Sequence, residues 1–141
     1  MVSCQVQRPF VPTALPFVMM AEALWDKNCD YEERAKAHYM GTFGEDGLKA
    51  HEYLKQVSDF FLWYNAPGMG RKDITYRDFC KDYKKYAEIT AAFKPVIAQN
   101  VAKDNQYTKD WKLLEFYIGF TEQMAEIFEL VEKDEKMLKY T

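Results

Sequence analysis

The sequence predicts an all-α protein of about five helices, packed as an antiparallel helical bundle or array. Apolar residues recur at intervals of three and four along most of the chain, which is the period of an amphipathic helix. Glycine and proline are scarce, with 6 Gly and 5 Pro in 141 residues, so the turn residues that a β-rich protein needs are missing. No alternating apolar and polar run between turn residues indicates a β-hairpin.

One helical domain is expected over residues 13–141, after an irregular lead-in over residues 1–12. A chain of this length buries about two-thirds of its unfolded surface, so it needs no disulfide or metal to hold a core. The net charge of −3 argues against a nucleic-acid partner, which requires a concentrated basic face. The apolar run over residues 11–23 is broken by two prolines and is shorter than the roughly 20 residues that span a bilayer, so no membrane partner is expected.

The first helix is predicted over residues 13–27, and the second begins after Asp30. Asp30 and Glu33 have the spacing of a capping box, in which a side chain at the helix start accepts a hydrogen bond from the amide three residues later. Gly41 and Gly44 are predicted to end the second helix, because glycine adopts the left-handed C-terminal conformation at little cost.

The third helix is predicted over residues 46–65, and residues 66–74 form the longest loop. Thr75, with Asp78 three residues later, is predicted to cap the fourth helix. Pro95 lies inside the pattern of that helix. An interior proline costs about 3 kcal/mol and frees the carbonyl four residues earlier, so either a kink or a stop and restart follows. A kink is favoured, because no turn residues surround Pro95.

Thr108 is expected to cap the last helix, which is predicted from residue 109 to about residue 138. One side of this helix carries Trp111, Leu114, Ile118, Ala125, Phe128 and Val131. The other side carries Leu113, Phe116, Tyr117, Phe120, Met124 and Ile127. A helix that is apolar on nearly all sides is predicted to be central in the fold.

The sequence contains few groups that could carry out catalysis. Ser3 and Ser58, its two serines, do not lie in a nucleophile elbow. His38 and His51, its two histidines, lie on different predicted helices and outside any HExxH or ExxH motif. The three cysteines form no CxxC pair. We therefore expect no catalytic residue, no metal site and no cofactor in this chain.

Aromatic residues make up 16% of the chain, which is high, and most of them follow the helical period. That spacing favours core packing for the majority. Tyrosine and tryptophan are also enriched at protein interfaces, so the aromatics near predicted helix ends are candidates for an interface. These candidates are Trp63, Tyr64, Tyr107 and Trp111.

Four elements in the first half of the chain have a distinctive order. They are Leu24-Trp25-Asp26, Asp30, Phe43-Gly44 and Glu52-Tyr53-Leu54. This order resembles the segment that follows the catalytic barrel in some large bacterial glycoside-hydrolase-like proteins of the α-glucuronidase and hexosaminidase type. The resemblance covers about a third of the chain, and Thr42-Phe43 stands where that family often has two tyrosines.

The resemblance implies a non-catalytic C-terminal helical domain of a carbohydrate-active protein, which supports the barrel or mediates dimerisation. No catalytic residue is carried over, because a barrel needs about 250 residues. The alternative is a stand-alone helical interaction protein without a carbohydrate role. The resemblance implies that the apolar lead-in from Phe10 to Phe17 is the edge that packs against the barrel, so the first hypothesis predicts an exposed apolar patch that includes this segment. The second predicts a polar surface apart from a functional groove.

Overall fold

The computed structural model describes residues 12–60 and 76–133, and every regular element within these ranges is helical. The α-helices of these ranges are α1 (Leu15–Trp25), α2 (Tyr31–Phe43), α3 (Gly47–Phe60), α4 (Tyr76–Ala102) and α5 (Thr108–Lys133). One turn of 3-10 helix, Gly44–Asp46, joins α2 to α3. The prediction of an all-α protein is confirmed. Nearly all of the lead-in lies outside the described residues, so the predicted domain boundary stays a prediction.

Each helix packs antiparallel to the one that follows it. Tyr86, near the start of α4, contacts Thr121 of α5, whereas Phe93, later in α4, lies against the earlier Trp111. The pairs α1 and α2, α2 and α3, and α3 and α4 are antiparallel in the same way, because the later part of one helix contacts the earlier part of the next. The largest interface joins α4 and α5, and the end of α2 also contacts α5. The core therefore lies where α2, α3, α4 and α5 meet.

Aromatic side chains fill much of this core. The rings of Tyr53 and Phe93 stack with centroids 4.2 Å apart, and those of Phe43 and Trp111 meet edge to face at 4.9 Å. Burying such a side chain contributes about 1.5–3 kcal/mol, and a well-oriented aromatic pair adds about 0.5–1.5 kcal/mol. Among the described residues, the aromatic side chains buried in this way are Tyr39, Phe43, Tyr53, Tyr86, Phe93 and Trp111.

The predicted start of α2 is confirmed, whereas its predicted end is only partly right. Asp30 Oδ1 accepts a hydrogen bond from the amide of Glu33 at 3.0 Å, a cap that contributes about 1 kcal/mol. Gly44 ends the helix with a φ of 74°, and its amide donates to the carbonyl of Met40. Gly41 lies inside α2, because burial of Tyr39 and of the last residue of α2 holds the helix beyond it.

Two later helix features bear on the predictions. The helix α4 continues through Pro95, with Phe93 and Ile97 buried on either side, so the alternative of a stop and restart is wrong and the favoured kink stays a prediction. Thr108 is the first residue of α5 rather than its cap. Its hydroxyl accepts a hydrogen bond from the amide of Asn105, three residues earlier, at 2.8 Å. This bond stabilises the turn before the helix. The predicted cap Thr75 lies outside the described residues.

Candidate interaction surface on the last helix

The two apolar sides of α5 have different surroundings. One side is buried against the other helices, through Trp111, Leu114, Ile118 and Ala125. The other side is exposed through a row of residues that we call the α5 stripe: Leu113, Phe116, Phe120, Ile127 and Leu130. Phe116 is 72% exposed and Leu130 is 66% exposed. Among the described residues, α2 and α4 cover α5 on one side only, so the prediction that its apolar first half makes it a central helix is wrong.

The α5 stripe has the spacing of a helix-pairing seam. Its members follow one another at intervals of three, four, seven and three residues, and the exposed Gln123 fills the remaining position of the row. Alternation of three and four residues is the heptad pattern by which two helices pack side by side. From Leu113 to Leu130 the row extends over about 26 Å at ~1.5 Å per residue. This length is enough to receive about five turns of a second helix.

A row of glutamates borders the α5 stripe on one side. Glu115, Glu122 and Glu126, which we call the glutamate edge, are spaced seven and four residues apart and so share a helix face. Glu122 pairs with Lys94 of α4 at 2.7 Å. Glu115 and Glu126 are exposed and form no ion pair with a cation of the described residues. The stripe is therefore apolar in its centre and acidic along this border.

A shallow groove of about 340 Å³ separates the glutamate edge from α4. Its lining residues are Lys94, Ile97, Ala98, Glu115, Ile118, Gly119 and Glu122, so it also contains the lysine that pairs with Glu122. No atom lies within 4 Å of the position that a Cβ at Gly119 would occupy. The groove thus continues past Gly119 towards the stripe, and it offers an apolar floor between two carboxylates.

The structure overturns the prediction that Trp111 lies at an interface. Trp111 is 1% exposed, and its indole Nε1 donates to the carbonyl of Phe43 at 3.0 Å. Its place near the start of a helix suggested accessibility, but the C-terminal end of α2 covers it. Its role is to join α2 to α5 in the core.

The other predicted interface residues have mixed outcomes. Tyr107 is half-buried, and its ring lies so close to Gly44 that a Cβ there would stand 2.7 Å from it. Phe17 is half-buried on α1. Phe10, Trp63 and Tyr64 lie outside the described residues, and their role stays a prediction. Trp25 was not among the predicted interface residues, yet it is 93% exposed at the end of α1, beside the exposed Leu24.

A second, more open groove of about 530 Å³ lies between α3 and α4. The stacked rings of Tyr53 and Phe93 form part of its wall, and Leu48 stands exposed at its border. Lys49 and Glu52 lie on its rim, where Lys49 pairs with Asp46 at 2.8 Å. The groove therefore has apolar walls, and Lys49 on its rim is already paired with Asp46.

A chain of hydroxyl groups crosses the interior between α3, α4 and α5. Tyr53 Oη lies 3.1 Å from Thr90 Oγ1 and 3.4 Å from Tyr86 Oη. Tyr86 Oη in turn bonds to Thr121 Oγ1, which donates to the carbonyl of Ile118. Burial raises the pKa of Tyr53 well above its ordinary value. The Tyr53 hydroxyl is therefore protonated at neutral pH, and the hydroxyl groups of this chain hydrogen-bond to one another.

Asp46 secures the corner between α2 and α3 to the end of α4. Its carboxylate accepts from Lys49 at 2.8 Å and from the buried Asn100 at 2.8 Å, and Lys103 lies 3.5 Å away. The hydrogen bonds from Lys49 and Asn100 lower the pKa of Asp46 below its ordinary value. The Asp46 carboxylate is thus held in its ionised form, in which it joins the corner between α2 and α3 to the end of α4.

Among the described residues, one buried side-chain polar atom lacks a hydrogen-bond partner, namely Nε2 of His38. Burial lowers its pKa below the ordinary value of 6.5, so the ring is neutral at pH 7. His38 and His51 both contact the ring of Tyr39, at 5.8 and 4.7 Å between centroids.

Over residues 12–60 and 76–133, no group of three or more His, Cys, Asp or Glu residues is placed to hold a metal ion. None of the helices in this part of the chain combines the length and the apolar character needed to cross a membrane. Comparison with known proteins finds no matching family model, no matching curated protein and no matching solved structure. The resemblance to glycoside-hydrolase-like proteins therefore stays a prediction.

Proposed function

We propose that this chain is a non-catalytic helical protein that binds an amphipathic helix of a partner along the α5 stripe. The observation that carries the proposal is the row of exposed apolar side chains between Leu113 and Leu130. A large contiguous apolar surface is costly to leave in water and marks a binding surface. Its side chains stand at the spacing by which one helix recognises another.

The arrangement of α5 supports a helix as the bound element. The buried side, with Leu114 and Ile118, anchors α5 to the core, so the stripe is presented on a helix that is held along its length. Binding surfaces on rigid elements lose little conformational entropy when the partner docks. Gln123 interrupts the apolar row once, and a single polar position in such a seam selects one register of the partner.

The experiment is recovery of bound proteins from native cells with three versions of the tagged chain. These are the unchanged chain, the double variant Phe116→Ser with Ile127→Ser, and the control Met40→Ser. Met40 is an exposed apolar residue on α2, away from the stripe. We expect a partner that is retained by the control and lost by the stripe variant. The same set of proteins with all three versions would contradict the proposal, provided that circular dichroism shows all three folded.

The second candidate is the C-terminal helical domain of a glycoside-hydrolase-like protein, where it supports the barrel or mediates self-association. The exposure of Leu24 and Trp25 favours it, because both belong to the segment that carries the resemblance. A domain joined to a barrel would present an apolar patch there. An antibody raised against residues 46–65 tests this candidate on a native lysate. A band several times larger than 16.7 kDa supports it, and a band at 16.7 kDa alone contradicts it.

A further inference from the structure

We propose that the helix bound by the α5 stripe carries lysine or arginine along one edge, and that it is not a second copy of this chain. This inference rests on the proposed function and adds the charge of the partner to it. The juxtaposition that supports it is an exposed apolar seam with carboxylates along one border.

The surface along the stripe is acidic between Leu113 and Leu130, and the exposed Lys112 stands just before this stretch on the side of the glutamate edge. Between Leu113 and Leu130, α5 contains four glutamates and no lysine, arginine or aspartate. Lys94 of α4 neutralises Glu122. Glu115 and Glu126 have no cation among the described residues and remain exposed. A partner with positive charge at this border gains attraction and faster association, because complementary charges steer the encounter.

The charge lies on one border only. Residues three and four apart are neighbours on a helix surface. Gly119 therefore lies between the α5 stripe and the two glutamates at 115 and 122, and Glu126 lies beside Leu130. Within the same stretch, the opposite border holds positions 117 and 124, which are Tyr and Met in the sequence. Tyr117 is half-buried. The matching partner therefore has basic residues on one edge of its apolar seam and uncharged residues on the other.

The groove beside Gly119 offers a seat for a long basic side chain. Its lining includes Ile97 and Ile118, and Lys94 lies in it paired with Glu122 at 2.7 Å, so Glu115 is the carboxylate left for a partner there. Lysine and arginine have apolar stems that cover such a floor while the charged head stays in water. With no Cβ at Gly119, the stem can cross from the seam to Glu115.

A second copy of the chain does not match this charge distribution. When two identical helices pair antiparallel, like edges of their seams meet, so the two glutamate edges would lie side by side. When they pair parallel, opposite edges meet, so glutamates would face the border that contains Tyr117. In the antiparallel arrangement the exposed Lys112 of one copy can approach Glu126 of the other but leaves Glu115 without a cation, and in the parallel arrangement both glutamates lack one. A helix with basic residues along its whole edge supplies a cation to both glutamates.

The experiment uses the full chain and three synthetic helical peptides of equal length. All three have leucine at the seam positions, and their flanking positions on one edge are lysine, glutamine or glutamate. Binding is measured by the fluorescence anisotropy of the labelled peptide, at low and at high salt, at concentrations where the peptide alone is monomeric. The chain variants are Glu115→Lys with Glu126→Lys, the control Glu45→Lys with Glu88→Lys, and Phe116→Ser with Ile127→Ser. Glu45 and Glu88 are exposed and lie off α5, so the control makes the same change in net charge.

We expect the lysine peptide to bind about tenfold more tightly than the glutamate peptide at low salt, since two exposed ion pairs each contribute a factor of about two to five. High salt should remove most of this preference. The variant of Glu115 and Glu126 should reverse the preference, whereas the control should keep it.

Equal binding of all three peptides, or the same loss of preference in the control, would overturn the inference and leave the proposed function standing. A concentration-dependent dimer of the unchanged chain in sedimentation, lost in the variant of Phe116 and Ile127, would identify a second copy as the occupant and also overturn it. If no peptide binds, the inference and the proposed function both fail.

Discussion

Replacing Trp111 by phenylalanine should destabilise the protein, because this side chain joins two helices inside the core. Trp111 is 1% exposed, its Nε1 donates to the carbonyl of Phe43 at 3.0 Å, and its ring lies 4.9 Å from the ring of Phe43. The hydrogen bond contributes about 1 kcal/mol net. The smaller ring also leaves unfilled volume, which costs about 1–2 kcal/mol. We expect the free energy of unfolding to fall by about 2–3 kcal/mol.

The control is the same substitution at Trp25, which is 93% exposed. At that surface position we expect a change within about 0.5 kcal/mol. Urea unfolding followed by far-ultraviolet circular dichroism measures both variants. With a denaturant slope of about 1–3 kcal/mol per M, Trp111→Phe should lower the urea midpoint by about 0.7–3 M. Equal midpoints for the Trp111 and Trp25 variants would refute the assignment of Trp111 to the core.

Three further predictions concern the corner between α2 and α3 and the histidine on α2. In Gly47→Ala, the new Cβ would lie 2.3 Å from the carbonyl oxygen of Tyr39, so the two helices must separate. We expect a loss of about 1–3 kcal/mol. Gly41→Ala, with open space around it, should instead stabilise by about 0.5–1 kcal/mol, and thermal melts of the two variants decide. The pKa of Asp46 is lower in the folded than in the unfolded chain, so its stabilisation is present above the unfolded value of 3.8 and is lost as the pH falls through the lower folded value. The urea midpoint of the unchanged chain should therefore be higher than that of Asp46→Asn at pH 6, and the difference between the two midpoints should be smaller at pH 3. A difference that does not change with pH would contradict the stabilising role of the Asp46 carboxylate. Burial lowers the pKa of His38 from 6.5, so the unfolded chain takes up its proton first and stability declines as the pH falls below 6.5. His38→Leu should flatten that decline, and an unchanged slope would argue against the buried neutral ring.

The candidate site was predicted in part. Helical spacing groups Leu113, Phe116, Phe120 and Ile127 on one side of the last helix, opposite Leu114 and the other buried residues. Spacing does not tell whether a given apolar side is covered by the same chain or left open, and so the exposure of the stripe was not foreseen. The glutamates beside it were visible in the sequence, but their meaning depended on that exposure.

Features that depend on neighbours within one helical turn were determined by the sequence alone. The all-α class, the cap of Asp30 on the amide of Glu33 and the end of α2 at Gly44 are of this kind, because each arises from groups a few residues apart. Only the tertiary structure decided that Trp111 is buried under α2 and that Gly47 must lack a side chain. The hydrogen bond from Trp111 to Phe43 spans 68 residues of sequence. Such contacts depend on which helix faces come together, and that choice is made by packing across the whole chain.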